Sequence, residues 1–253
     1  MRRITRVAAG LGTAAAVAVA GLAVADAADG PPPRQRVVAL AHGDDRLPST
    51  TATDWVTYAD HVVVVSATSE QPVPPTRTDV ERREGLMGRK VGLEVQNVLW
   101  SRPDAARPAP EAWEYNATGW TFTDGNLDNP TVLAMEGRPR IEPGHRYILA
   151  IAWQGPRCSE GDAPEPGRWM GLGEGSELPF DGGVIGQGET QGEVRTVAEA
   201  RALAADAGPN AGPNAGLKED MVGRGADDLA AALKAAAPGQ RRQSAPQPTA
   251  ACD

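Results

Sequence analysis

Hydrophobic and polar positions alternate most cleanly over residues 88–101, where Val91, Leu93 and Val95 are interleaved with Gly92, Glu94 and Gln96. A period of two gives a strand one buried and one solvated face. Beyond Asn97 the apolar set moves to Val98, Leu99 and Trp100, which predicts a bulge or added twist near Asn97. Two other runs suit pairing with this strand. One is residues 60–66, whose four successive valines, Val62, Val63, Val64 and Val65, read as a strand buried on both faces. The other is residues 146–153, delivered by the turn Glu142-Pro-Gly-His145. In residues 112–120, Trp113, Tyr115 and Ala117 face one way, and Gly119 predicts a bulge or a close backbone approach. Residues 168–172, and 178–180 with 184–185 around an Asp181-Gly-Gly183 turn, read as short closing strands.

Elsewhere the pattern is helical or aperiodic. Thr53 and Asp54 are expected to cap a single turn at 55–58. Residues 37–40 suit a short β piece. Residues 70–84 contain three prolines and a charged cluster, as a solvated loop would, and residues 121–139 read as a loop with a short apolar piece at 132–135. From Thr196 the period becomes helical, with Glu199 completing a capping box. A glycine-proline spacer at 207–216 follows, then a second helix over 227–236 with Leu229, Leu233 and Ala236 on one face. That stripe is narrow, so the helix is expected to lean on the β domain. The fold class is therefore mainly β: a small curved antiparallel sheet or a closed OB-like barrel, with two C-terminal α-helices.

The chain ends refine this picture. Arg2, Arg3 and Arg6 precede an apolar run over residues 7–24 and a small-residue site at Ala25-Asp-Ala27, the pattern of a cleaved secretory signal peptide. The expected organisation is a signal peptide over 1–27, a flexible linker over 28–53, a β-barrel-like domain over 54–190, a helical C-terminal extension over 191–238 and a disordered tail over 239–253. No stable membrane span is expected after cleavage, and the destination is secretion, outside the cell or associated with its envelope. A net charge of −8 argues against a nucleic-acid partner, which requires a basic face. In an oxidising compartment the two cysteines, Cys158 and Cys252, are expected to form a disulfide. Its loop of about 95 residues is worth roughly 4–5 kcal/mol in the chain-entropy picture.

Three strings, Ala59-Asp-His-Val-Val-Val-Val65, Val91-Gly-Leu-Glu-Val-Gln-Asn-Val-Leu-Trp100 and Pro143-Gly-His-Arg-Tyr-Ile-Leu-Ala-Ile151, together resemble the secreted OB-like barrels of the netrin and tissue-inhibitor-of-metalloproteinases type. They also resemble secreted proteins of high-GC bacteria. The resemblance covers roughly residues 59–186 and implies a small barrel. Those inhibitors act through a mature N-terminal cysteine. No cysteine lies near Ala28, so inhibition of that kind is not implied.

Candidate chemistry is sparse. Asp124, Asn126 and Asp128 place oxygen ligands at alternate positions, as at the start of a calcium loop, but Asn129 stands where glycine is expected and Met135 where the closing acid belongs. An Asx-rich turn explains the same residues. His42, His61 and His145 lack partners at a spacing that would suit a metal or general-base work. No serine sits in a nucleophile-elbow context. Six tryptophans outnumber two phenylalanines and three tyrosines. Trp113 and Trp120, beside glycine- and proline-rich loops, are the candidate exposed pair for a ligand or a protein interface. With no catalytic motif, the expected function is a non-enzymatic binding module whose partner is an envelope component or an extracellular protein. The alternatives are a hydrolase with acids not singled out and an inhibitor that uses the barrel rim.

Overall fold

The computed structural model describes residues 37–43, 47–158, 164–206 and 216–241. The signal segment, the first part of the linker, most of the 207–216 spacer and the end of the tail with Cys252 lie outside the described residues. In chain order the elements are β1 (Val38–Ala41), α1 (Ala52–Tyr58), β2 (His61–Val73), α2 (Arg77–Arg82), β3 (Gly85–Ser101), β4 (Ala112–Phe122), β5 (Thr131–Met135) and β6 (Arg146–Gln154). There follow β7 (Arg168–Gly171), β8 (Glu177–Pro179), β9 (Gly188–Thr190), β10 (Glu193–Arg195), α3 (Val197–Asp206), α4 (Leu217–Met221) and α5 (Ala226–Ala235).

The valine run sets the architecture. β2 lies between β3 and β6, antiparallel to both, and the main sheet runs β1-β5-β4-β3-β2-β6-β7 with β8 also on β6. Val62, Val63, Val64 and Val65 are all buried, as a strand covered on both faces requires. The sheet is mixed, because β1 joins β5 in parallel, and it is mainly β as expected. Strand pairing among the described residues does not close it into a ring. β9 and β10 form a separate hairpin that the sequence pattern did not signal.

Irregularities occur at the two places the pattern marked, Asn97 and Gly119, and also at Thr68 of β2, which it did not mark. Against β2, β3 skips a residue on either side of Asn97, at Gln96 and at Leu99. β4 bulges at Gly119, where an added Cβ would stand 2.5 Å from the Met87 carbonyl oxygen. One extra residue at that bulge restores Trp120 to the parity of Trp113 and Tyr115.

Several expectations need correction: residues 131–135 form β5 within a stretch expected to be a loop, and 184–185 lie in no strand. Residues 70–84 are not one loop: β2 continues through Pro72 to Val73, and α2 follows, capped reciprocally by Thr76 and Asp79. Proline is tolerated because β2 has left β6 by Ser66 and is an edge strand there. The cap of α1 is Thr51 rather than Thr53, with its hydroxyl accepting from the Asp54 amide at 3.1 Å. Among the described residues the C-terminal helices number three. The short α4 adds Leu217 and Met221 to the core, while α3 keeps its Thr196–Glu199 capping box.

The sheet has two apolar layers. On one side Val62, Val64, Ile148 and Leu178 pack with Trp55 of α1, Met221 of α4 and Leu229 and Leu233 of α5. Each fully buried leucine there contributes about 1.5–3 kcal/mol. On the other side Val63, Val65, Val91, Leu93, Leu149 and Ile151 surround Tyr115, Tyr147 and Trp169.

Candidate functional site

The second layer is enclosed incompletely. Over residues 112–119, β4 pairs with β3 but with no strand on its other edge among the described residues, and β7 pairs with β6 alone. These two strands lie four places apart in the sheet order, yet they stand next to each other. The sheet therefore curls until β4 meets β7 and stops short of pairing. The seam holds a cavity of about 280 Å³, walled by Tyr115, Ala117 and Thr118 on one side, Trp169 and Met170 on the other, and residues 138–141.

A chain of three polar side chains crosses the seam. The Tyr115 hydroxyl donates to Glu177 Oε1. Arg138 grips the same carboxylate with Nη2 at 2.8 Å from Oε1 and Nε at 3.2 Å from Oε2. Glu177 is 2% exposed, and Arg138 is the cation that accompanies it into the interior. Burial and then the Glu177 charge push the Tyr115 phenol well above its ordinary pKa, which keeps it a neutral donor. Gly171 keeps this space open, since a Cβ there would stand 3.0 Å from the Tyr115 hydroxyl oxygen. Trp169 is fixed by neighbouring rings: Trp153 meets it edge-on at 5.4 Å and His61 at the same centroid distance.

The 138–141 wall is held in a conformation that its sequence disfavours. Ile141 is buried at φ 62°, a region that β-branched residues avoid at a cost of about 1–3 kcal/mol. Glu189, fully buried, offsets this by accepting from the amides of Arg140 (3.0 Å), Ile141 (2.9 Å) and Gly192 (2.7 Å) and from the Tyr147 hydroxyl (2.8 Å). Arg89 donates to the carbonyls of Arg140 and Ile141 and to Glu70 at 2.6 Å. Arg140 reaches Glu142 at 2.8 Å and lies over the Trp120 ring. Burial, followed by the Arg140 charge, lowers the Arg89 pKa, with Glu70 opposing. The carboxylates of Glu70 and Glu142 balance the two arginines, and Glu189 braces the backbone between them.

No protein-family model, curated protein or solved structure matches this chain.

The candidate residues singled out from sequence do not line the seam, although His61 meets Trp169 and Trp120 lies under Arg140. Trp113 is half-buried beside the inner layer, and its indole N–H has no hydrogen-bond partner among the described residues. Trp120 is half-buried under Arg140. Neither lines the cavity. Asp124, Asn126 and Asp128 sit in the turn after β4, where the Asn126 side chain accepts from the Asn129 amide at 3.2 Å and Arg83 binds the Asp124 carbonyl at 2.7 Å. Among the described residues no three His, Cys, Asp or Glu groups are placed to hold a metal ion. His61 is buried between Ser101 and the Arg107 carbonyl, both at 2.8 Å, His145 meets Asp181 at 2.6 Å, and His42 pairs with Glu136 on the surface. Cys158 follows β6, and its expected partner Cys252 lies outside the described residues. Sequence reasoning missed Arg138, Glu177 and Trp169. Only the inward parity of Tyr115 pointed toward the site. Among the described residues no helix is long and apolar enough to cross a membrane.

Proposed function

We propose that this protein is a secreted, non-enzymatic binding module acting at or outside the cell envelope, and that an extended segment of an envelope or extracellular protein enters the seam between β4 and β7. The observation that carries this reading is the pair of unpaired strand edges facing each other across the cavity. Free edges offer backbone donors and acceptors to a peptide in β form, and the pocket between them offers a place for its side chains. In this reading the domain is an OB-like barrel left open along one seam. Binding is favoured over turnover because the seam's ionisable groups are already committed to each other. Tyr115 is held neutral, and both oxygens of Glu177 are already engaged by Arg138.

The test is co-sedimentation of the full chain with purified cell envelopes, with thermal melting measured alongside. Arg168→Glu changes a partly exposed group at the seam rim, and Gly171→Leu fills the seam. Retention of the wild type, reduced about tenfold or more by each substitution, is the expected result. Wild-type protein left in the supernatant, or variants retained like the wild type, would overturn it.

A further inference from the structure

A second cavity, of about 320 Å³, lies outside the seam, between β8, the loop that follows it, the β9–β10 hairpin and helices α3 and α4. Its wall is apolar: Leu178, Pro179, Ile185, Leu203 and Val222. Gly186, at φ 88°, lets the loop lie against both helices, since a Cβ there would stand 3.1 Å from Val222 and 3.3 Å from Ala200. Leu203 remains 52% exposed although it belongs to this wall.

The charged lining comprises two cations, Lys218 and Arg195, and two carboxylates, Glu136 and Glu219. Lys218 donates to the Gly137 carbonyl, and Arg195 donates to the neutral Gln191 amide at 3.2 Å. Neither forms an ion pair among the described residues. Both lining carboxylates are otherwise placed: Glu136 is bonded to His42, and Glu219 favours the Lys218 charge from a distance without bonding it, while Glu199 nearby caps α3 through Thr196. Burial lowers the Lys218 pKa, Glu219 and Glu177 oppose this, and the charges of Arg195 and Arg138 add to it. An anion placed between Lys218 and Arg195 would relieve that repulsion.

An apolar cleft whose two cations carry no ion pair among the described residues suits a molecule with an apolar body and an anionic head. The volume is at the small end of the range of about 300–1,000 Å³ typical of ligand pockets, which fits one acyl chain and not two. We infer that this cleft binds a single-chain fatty carboxylate, its head between Lys218 and Arg195 and its tail against Leu178, Ile185, Leu203 and Val222. This site is independent of the seam proposed above.

Isothermal titration of the full chain with decanoate, below its micellar concentration, tests the assignment. Decanol and decyltrimethylammonium serve as neutral and cationic probes of the same tail. Decanoate is expected to bind at one site, with decanol about tenfold weaker or more and no binding of the cation. The double variant Lys218→Met with Arg195→Gln keeps most of the apolar stems and should weaken decanoate by about tenfold or more. Leu203→Asp, at a half-exposed position, should abolish binding while melting stays near wild type. Gly171→Leu in the seam should leave decanoate binding unchanged. Absence of decanoate binding, equal binding of the cationic probe, an unaffected charge variant, or loss of binding on filling the seam would each overturn the inference.

Discussion

On the helix-covered side of β2, Val62 and Val64 meet Trp55, Leu229 and Leu233 in a layer whose buried groups are almost all hydrocarbon. On the opposite side, Val63 and Val65 share their face with Tyr115 and Tyr147, and Arg89 stands in the same alternation as Val91 and Leu93. The first layer tolerates any filler of the right volume, because apolar burial is non-directional. The second depends on each member, because a buried arginine or carboxylate that loses its partner keeps its desolvation penalty. One sheet thus carries a helix-covered face that supplies stability and a charged face that shapes the seam.

Arg89→Met breaks this comparison most sharply. It leaves the carbonyls of Arg140 and Ile141 without their donor and Glu70 without its nearest cation. A loss of about 3–5 kcal/mol is expected in urea denaturation. A stability equal to wild type would show that the network is dispensable. Leu229→Ala opens a cavity in the helix-covered layer and should cost about 3 kcal/mol by the same measurement. The third test separates the faces by pH. Burial and then the Glu189 charge raise the Tyr147 pKa, as burial and Glu177 raise that of Tyr115, while an unfolded tyrosine ionises near 10. Their folded pKa values are raised, so their contribution is fully present below about pH 10. It is lost as pH rises further, at up to about 1.4 kcal/mol per unit for each tyrosine. Stability measured from pH 9 to 11 should fall less steeply in Tyr147→Phe and as steeply as wild type in Leu229→Ala. Thr51→Ala gives the smallest change, about 1 kcal/mol from the lost α1 cap, with no effect on the alkaline slope.

Much of the fold was legible because its causes are local. The valines of β2, the bulges near Asn97 and at Gly119, and the Thr196–Glu199 cap each follow from neighbouring residues acting on one another. Errors arose where tertiary context overrode a local signal. Pro72 argued against a strand, yet β2 is unpartnered on one side at that point. The hairpin of β9 and β10 has strands of three residues, too short to carry a period. Tryptophan count drew attention to Trp113 and Trp120, whereas the seam depends on Trp169.

By itself, then, the sequence determined the alternation that builds the sheet, the faces its central strands offer, the capped start of α3 and the acidic balance of the chain. Tertiary structure alone decided the seam, since Tyr115 meets Glu177 across 62 residues and Glu189 reaches Ile141 across 48. Those contacts exist because curling the sheet brings β4 beside β7. A strand's periodicity records which side is buried, but not which distant strand will stand beside it.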